Sequence, residues 1–286
     1  MNKSKIKRII GAAVAAVLIV VISAVGLLIS KTRLPDNVPD GALRAVFFDV
    51  GEADCTLFFN SDTAILTDAP ADMTNQAVGY MKRAGIKRLD FFVISHYDSD
   101  HCGDAERIIN EFEIDTIILP EPTRNQTEIY EKIVSAANEK KCITAKTGQS
   151  YETGGVKIDV LSPNGIGKEN NDICLSYRLT YKNSSVLMCS DITADEEKVI
   201  LSKYGDKIKS DIIKVAHHGS KYSSTAKFIK PASAKYAVIS CGRNTYGHPA
   251  TETLDALKAA GSEIFITQAE GVIIFDILAD DVVRVK

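Results

Sequence analysis

The sequence predicts an α/β (α+β) domain built from two mixed sheets packed together with helices outside, preceded by one N-terminal transmembrane helix. Three observations carry that reading. Residues 1–33 contain a long apolar run and no acidic residue. Beyond them, hairpin-like strands come first and strand–helix alternation follows, an order that then repeats. Each of the five histidines falls at the end of an apolar strand-like run or in a loop flanked by Gly or Pro.

Residues 9–29 are 21 consecutive positions without a charge, mostly Ala, Val, Ile and Leu. As a helix such a run crosses the roughly 30 Å hydrocarbon core of a bilayer. Lys3, Lys5, Lys7 and Arg8 precede it and only Lys31 and Arg33 follow closely, so the rest of the chain is expected outside the cytoplasm. A cleaved signal peptide ending near Ser23-Ala24-Val25 is the alternative, and it would release a secreted domain. The apolar run continues past that point to Ile29, which favours an uncleaved single-pass anchor in the cell membrane. The expected organisation is an anchor over 1–33, a linker over 34–41 and a folded domain over 42–286.

Within the domain, residues 43–50 read as a strand ended by Gly51, and 55–60 with 63–67 as a hairpin around Asn60-Ser61-Asp62. Residues 72–84 have helical spacing closed by Gly85. A buried strand over 91–95 leads to a helix over 105–112, a strand over 116–119 stopped by Pro120, and a helix over 126–138. The second half reads as strands over 156–161, 174–181 and 185–189, then a helix over 194–204. Strands over 211–216, 236–241 and 264–267 alternate with helices over 225–229 and 251–260, and a strand pair beginning at 272–277 closes the chain.

Six of the 34 basic residues and none of the 37 acidic ones precede residue 34, which leaves 28 basic against 37 acidic, a formal charge of −9. Such a surface repels phosphate backbones and argues against tight non-specific nucleic-acid binding. Cys55, Cys174, Cys189 and Cys241 lie in or beside apolar runs, where a thiol acts as a small hydrophobe, so reduced buried thiols are expected. No CxxC pair occurs, which excludes a structural zinc knuckle.

The run His96-Tyr97-Asp98-Ser99-Asp100-His101 places two His and two Asp within six residues, directly after a buried strand. Crowded carboxylates raise one pKa or demand a positive partner, and a divalent cation is the most effective one. A solvated acidic loop capping the next helix is the alternative. Asp191 and the pair His217-His218 again follow strand-like runs, and His248 lies in Tyr246-Gly247-His248-Pro249. Taken singly, Asp191 also reads as a helix cap and His248 as a structural loop residue.

In this order, the HxDxDH run, a strand-end Asp and His217-His218-Gly219-Ser220 resemble the metallo-β-lactamase-fold hydrolases. Within that superfamily the chain resembles the C-terminal hydrolase domain of the ComEC competence (DNA-uptake) family. The segment Phe48-Asp49-Val50-Gly51-Glu52-Ala53-Asp54, Asn170-Asn171 and Gly247–Pro249 match elements of that domain. The resemblance implies a four-layer αββα sandwich. It also implies His96 and Asp98 on a first metal, Asp100 and His101 on a second, Asp191 bridging both, and His218 as the last histidine ligand. Asp68 would brace the metal loop, and His217 would face substrate or support the ligands. Glu52 and Ala53 stand where the family has Gln and Gly, and Asp104 and Ser190 also replace a usual Gly. One span and no channel segment precede the domain, so DNA transport is not implied.

The chemistry implied is metal-dependent hydrolysis, with two divalent cations, Zn²⁺ or Mn²⁺, activating a shared water. Three carboxylates against few imidazoles favour phosphoester bonds over amides. Asp100, His217 and His248 are the candidate catalytic residues. The expected partners are a phosphoester substrate, with DNA among the candidates, and the membrane through the N-terminal helix; no organic cofactor is expected. A phosphoesterase acting on a small or cell-envelope ester of phosphocholine type, and a non-catalytic metal-binding module, are the alternatives.

Overall fold

A computed structural model describes residues 37–122, 128–138, 140–164 and 170–286. The apolar run over 9–29 lies outside these residues, and among those described no helix is long and apolar enough to cross a membrane. Val38–Lys286 forms one compact unit.

Two sheets carry it. The first contains β1 (Leu43–Phe47), β2 (Thr56–Phe59), β3 (Ala64–Thr67), β4 (Arg88–Val93), β5 (Glu113–Leu119), β6 (Cys142–Thr144), β14 (Ile273–Ile277) and β15 (Val282–Arg284), in the order β15-β14-β1-β2-β3-β4-β5-β6. The second runs β13-β12-β11-β10-β9-β8-β7, with β7 (Ser150–Thr153), β8 (Val156–Val160), β9 (Tyr177–Tyr181), β10 (Ser184–Met188), β11 (Ile212–Lys214), β12 (Tyr236–Ile239) and β13 (Glu263–Ile266). Side chains from both sheets share one core, in which Phe47 meets Phe58 and Phe275 edge-on at ring distances of 6.4 and 6.3 Å. Edge-to-face packing suits the ring quadrupoles and adds to the large apolar area each ring buries.

Helices cover the outer faces. On the first sheet, Tyr80 of α1 (Asn75–Arg83) packs against Phe48 and Phe59. Short α2 (Ser99–Cys102), α3 (Ala105–Glu111) and α4 (Glu128–Ala137) follow in the same half. On the second sheet, α5 (Ala194–Tyr204), α6 (Ala226–Ala232) and α7 (Thr251–Ala259) bury Ile200, Phe228 and Leu257 against β10, β11 and β12. A short α8 (Thr267–Glu270) turns the chain back into β14.

The parallel strands place the chemistry. β4 runs parallel to β3 and β5, and β10, β11, β12 and β13 run parallel to one another. Their carboxyl ends therefore share one edge of each sheet, where loops from open parallel sheets converge on ligands.

Some expected elements differ from those observed, each for a local reason. The strands β6 and β7 escape hydrophobic patterning because their residues are exposed or half-buried. The fourth strand begins at Arg88, whose guanidinium pairs with Asp115 across the sheet, so a charged start hid its true length. The helix expected to end at 229 continues through Pro231 to Ala232. The strand expected over 211–216 stops at Lys214, and His217 and His218 sit in a turn with φ of 50° and 53°. No disulfide joins any of the six cysteines, and Cys142 is exposed rather than buried.

One buried ion pair ties β1 to β14 in the first sheet. Arg44 and Asp276 are register partners on β1 and β14, joined at 2.8 Å (Nε to Oδ1) and 2.9 Å (Nη2 to Oδ2). Removing one partner of such a pair strands the other charge away from water, at about 3–5 kcal/mol. Asp276→Ala should therefore lower the free energy of unfolding in urea by about that amount, and a loss under about 1 kcal/mol would show the pair to be solvated.

Candidate metal centre

The centre is assembled from five strand ends. After β3, Asp68 adopts a left-handed φ of 62° and turns its carboxylate beneath the His96–His101 loop. There it accepts the Ser95 amide at 2.8 Å, the Ser95 hydroxyl at 2.8 Å and His101 Nδ1 at 2.9 Å. A carboxylate can only accept, so the His101 proton sits on Nδ1 and the Nε2 lone pair faces the site. Tyr97 points the other way, and its hydroxyl donates to the Pro120 carbonyl at 2.8 Å, which pins the loop to the end of β5.

His218 is oriented by the same logic from the second sheet. Its Nδ1 donates to the Ser240 carbonyl at 2.9 Å, just beyond β12, which leaves Nε2 for the centre. His96 is fully buried, with Nδ1 3.1 Å from Ser95 Oγ and 3.4 Å from Ser190 Oγ. Asp191 follows β10 and is buried among all three rings.

These groups converge. Asp100, His101, Asp191 and His218 offer ligand atoms that all lie within 4.8 Å of one another. His101 Nε2 is 3.3 Å from Asp191 Oδ1, and His218 Nε2 is 3.4 Å from Asp100 Oδ2. His96 and Asp98 form an adjoining pair, 3.4 Å apart, with the His96 ring 4.0 Å from that of His101. His217 and His218 approach Asp191 Oδ2 almost equally, at 3.7 and 3.8 Å. His217 is half-buried and His218 buried, so the neighbouring histidines differ in exposure and not in direction toward Asp191.

The Nε2 atoms of His96, His101 and His218 and Oδ1 of Asp191 are all buried without a hydrogen-bond partner. Each such orphan costs about 1–3 kcal/mol. Divalent cations held by these imidazole lone pairs and carboxylate oxygens would satisfy them, so the donor set fits divalent metal. The electrostatics agree. Burial pushes the Asp191 carboxyl up, yet His101 and His218 outweigh it and hold it well below the ordinary range. Burial pulls His101 down, yet Asp191 and Asp68 hold it well above its usual value. Both directions describe a pocket whose carboxylates call for positive charge at its middle.

A second loop closes over the centre. Glu52 Oε1 lies 2.7 Å from His248 Nδ1, and Glu52 Oε2 accepts the Gly242 amide at 2.9 Å and Asn244 Nδ2 at 3.2 Å. Asn244 Oδ1 in turn accepts the amides of Tyr246, Gly247 and His248 at 3.0–3.1 Å. The His248 ring is thereby set 5.8 Å from that of His217. A Cβ on Gly219 would meet Pro249 at 2.7 Å, and one on Gly242 would strike the Gly51 backbone at 2.4 Å. Only glycine at those two positions lets the His248 loop and Glu52 close on the histidine pair.

The family model described as the metallo-beta-lactamase superfamily matches residues 49–243, which span β2 to β12 and every candidate metal ligand, the loop from Asn244 to His248 lying beyond it. The chain belongs to the metallo-β-lactamase superfamily. It is 28% identical over 202 residues to ComE operon protein 3 of Bacillus subtilis (strain 168), covering 68% of this chain and 26% of that one. It is 27% identical over 246 residues to competence protein ComA of Neisseria gonorrhoeae, covering 84% and 33%. The chain thus spans about a quarter to a third of the length of these curated relatives. Its fold is similar to that of the metallo-β-lactamase fold protein YhfI from Bacillus subtilis, with a TM-score of 0.57 at 15% identity, over 82% of this chain and 99% of that one.

Within this metallo-β-lactamase domain, sequence reasoning missed one buried pair. Lys214, only 1% exposed at the end of β11, places Nζ 2.8 Å from Asp54 Oδ2 and 3.1 Å from the Val215 carbonyl. Asp54 Oδ2 is also 4.0 Å from His101 Nδ1, so this cation lies directly beneath the centre. Burial pushes the Asp54 carboxyl up, and Lys214 with His218 and His101 reverses that and holds it below its ordinary value. A lone lysine inside an apolar strand run was the available signal. Lys214→Met should cost about 3–5 kcal/mol in urea unfolding by leaving Asp54 charged and unpaired, and adding Asp54→Asn should recover part of it. A double variant no more stable than Lys214→Met would refute the pairing.

Proposed function

We propose that this protein is a metal-dependent phosphodiesterase whose catalytic domain is held outside the cytoplasm by an N-terminal anchor. The observation that carries the reading is the set of four buried, unpartnered ligand atoms facing one another beside an open cavity. His96 and Asp98 would hold one cation, Asp100, His101 and His218 a second, and Asp191 would lie between them. When bound, Zn²⁺ or Mn²⁺ in this position acidifies a water and offsets charge on phosphoryl oxygens. The carboxylate-rich donors support phosphoester chemistry, and relatives named as competence proteins support DNA among the substrates.

The chain's own residues divide the remaining work. Asp68 and the Ser240 carbonyl hold the Nδ1 protons of His101 and His218, which keeps both Nε2 atoms available. Glu52 accepts a hydrogen bond from Nδ1 of His248, and a doubly protonated His248 ring would give its Nε2 proton to a leaving alkoxide. His217, half-buried beside it, is placed to hold a phosphate oxygen. Burial pushes its ring below the usual histidine range, so at neutral pH it acts as a neutral hydrogen-bonding group. The formal charge of −9 after residue 33 supports short diesters over processive binding of a long strand.

Turnover of bis(p-nitrophenyl) phosphate by the full chain with Mn²⁺ or Zn²⁺ tests this reading, together with metal content by elemental analysis. The wild type should bind about two ions. Asp191→Ala should lose metal and activity together, by more than about 100-fold in turnover. His218→Ala should lose one ion, whereas His217→Ala should keep both and turn over slowly. Normal metal content and activity in Asp191→Ala would refute the site, and tighter metal retention in His218→Ala than in His217→Ala would reverse the assignment of the pair.

The anchor rests on the uncharged run over 9–29 and the four basic residues before it. Protease added to intact protoplasts should digest the domain. Complete protection until lysis would overturn the orientation.

A further inference from the structure

The candidate ligands come from two sheets, and the two sides of the centre are tied across by different buried contacts. On the His96 side, the amide of Leu175, just before β9, donates to the Ser95 carbonyl at 2.8 Å, and Ser190 Oγ lies 3.4 Å from His96 Nδ1. On the other side stands the pair of Lys214 and Asp54. Lys214 ends β11, four residues before His218, and its Nζ reaches Asp54 Oδ2 at 2.8 Å in the loop between β1 and β2. The Asp54 amide in turn donates to the Asp100 carbonyl at 3.1 Å, inside the metal loop. A buried path therefore runs from His218 through Lys214 and Asp54 to Asp100 and His101.

The middle of this path is held tightly. Lys214 and Asp54 are 1% and 5% exposed. The void that they line with Asp68, Ser95 and Tyr177 measures only about 10 Å³, room for no more than one water. Packing this close passes a shift at one residue on to its neighbours. The Asp54 carboxylate stays 4.0 Å from His101 Nδ1, beyond hydrogen-bonding distance, so the pair acts on the ligands through the backbone and not by bonding to them.

We propose that the Lys214–Asp54 pair is a strut that sets the distance between the first-sheet ligands Asp100 and His101 and the second-sheet ligand His218, and so governs the affinity of the ion those three would hold. The inference rests on the reading of the site as a metal centre and adds to it two positioning residues that bind neither ion nor substrate. The ion at His96 and Asp98, held on the Ser95 side, lies outside the strut's reach. A strut and a bare charge differ in sign. Acting only as charges, Lys214→Met would tighten a nearby cation, Asp54→Asn would weaken it, and the double variant, unchanged in net charge, would stay near the wild type. The strut is broken in all three.

Titration of the detergent-solubilised full chain with Mn²⁺, following the electron paramagnetic resonance signal of the free ion, tests it. The wild type should take up two ions. Lys214→Met, Asp54→Asn and the double variant should each weaken one of them by about tenfold or more, the scale on which groups behind the ligands act, and leave the other unchanged. Asp276→Ala, which breaks a buried ion pair outside this path, should keep both. Tighter uptake in Lys214→Met, or wild-type uptake in the double variant, would overturn the strut in favour of a bare charge. Equal weakening of both ions, or the same loss in Asp276→Ala, would overturn it in favour of general loosening. A single ion in the wild type, weakened in the double variant, would refute the two-ion count and uphold the strut. A wild type that takes up no Mn²⁺ would refute the metal centre and the strut with it. Selective weakening in a protein that leaves bis(p-nitrophenyl) phosphate intact would refute the phosphodiesterase reading and uphold the strut.

Discussion

Negative charge brought together at the junction of two sheets is the constraint on which the rest of this structure depends. Asp54, Asp68 and Asp191 are buried there, with Asp98 and Asp100 at the rim. Buried carboxylates are costly unless each finds a donor or a cation. Asp54 is answered by Lys214, and Asp68 by Ser95 and His101. Asp191 is offset by the surrounding histidines and keeps one oxygen without a hydrogen bond. Asp54 also keeps Oδ1 without a hydrogen bond, but the unpartnered His96, His101 and His218 nitrogens and the Asp191 oxygen lie within the centre, and these open positions point to a cation.

Meeting that constraint strains the backbone at several strand ends. Asp68 after β3, Ser190 after β10, and His217 and His218 after β11 all have positive φ, between 50° and 62°. Side chains other than glycine pay about 1–3 kcal/mol each for such conformations. The left-handed turns redirect the chain so that side chains from different strands meet at one point instead of alternating above and below a sheet. Flanking close approaches at Gly219 and Gly242 then bring the His248 loop down on the same point.

Glu52 is a residue to which the structure gives a linking role between two loops. Its carboxylate accepts a hydrogen bond from Nδ1 of His248 and ties down Asn244 and Gly242 at once. An amide at that position could accept through only one of its two terminal atoms. The residue therefore links the strand-end loop after β1 to a column of rings that runs from His218 through His248 to Tyr246.

The two mixed sheets with helices outside and the cluster of His and Asp at strand ends were legible in the sequence because hydrophobic periodicity and residue type are local properties. His96 to His101, Asp191, His217, His218 and His248 were named from their neighbours along the chain, and the fold gathers them around one point. The edge strands β6 and β7 were not legible, because a strand exposed on its outer side has no alternation to read. Nor was the direction of the histidine pair. Alternation along a strand would point His217 and His218 apart, but both lie in a left-handed turn and reach Asp191 at nearly the same distance. Lys214 and Asp54 are 160 positions apart, and so are visible as partners only once β11 is laid beneath the first sheet's loops. The sequence by itself determined which groups are candidates for the chemistry and on which strand ends they sit. The tertiary structure decided which of their atoms stay unpartnered, because pairing between distant residues depends on packing that no local pattern encodes.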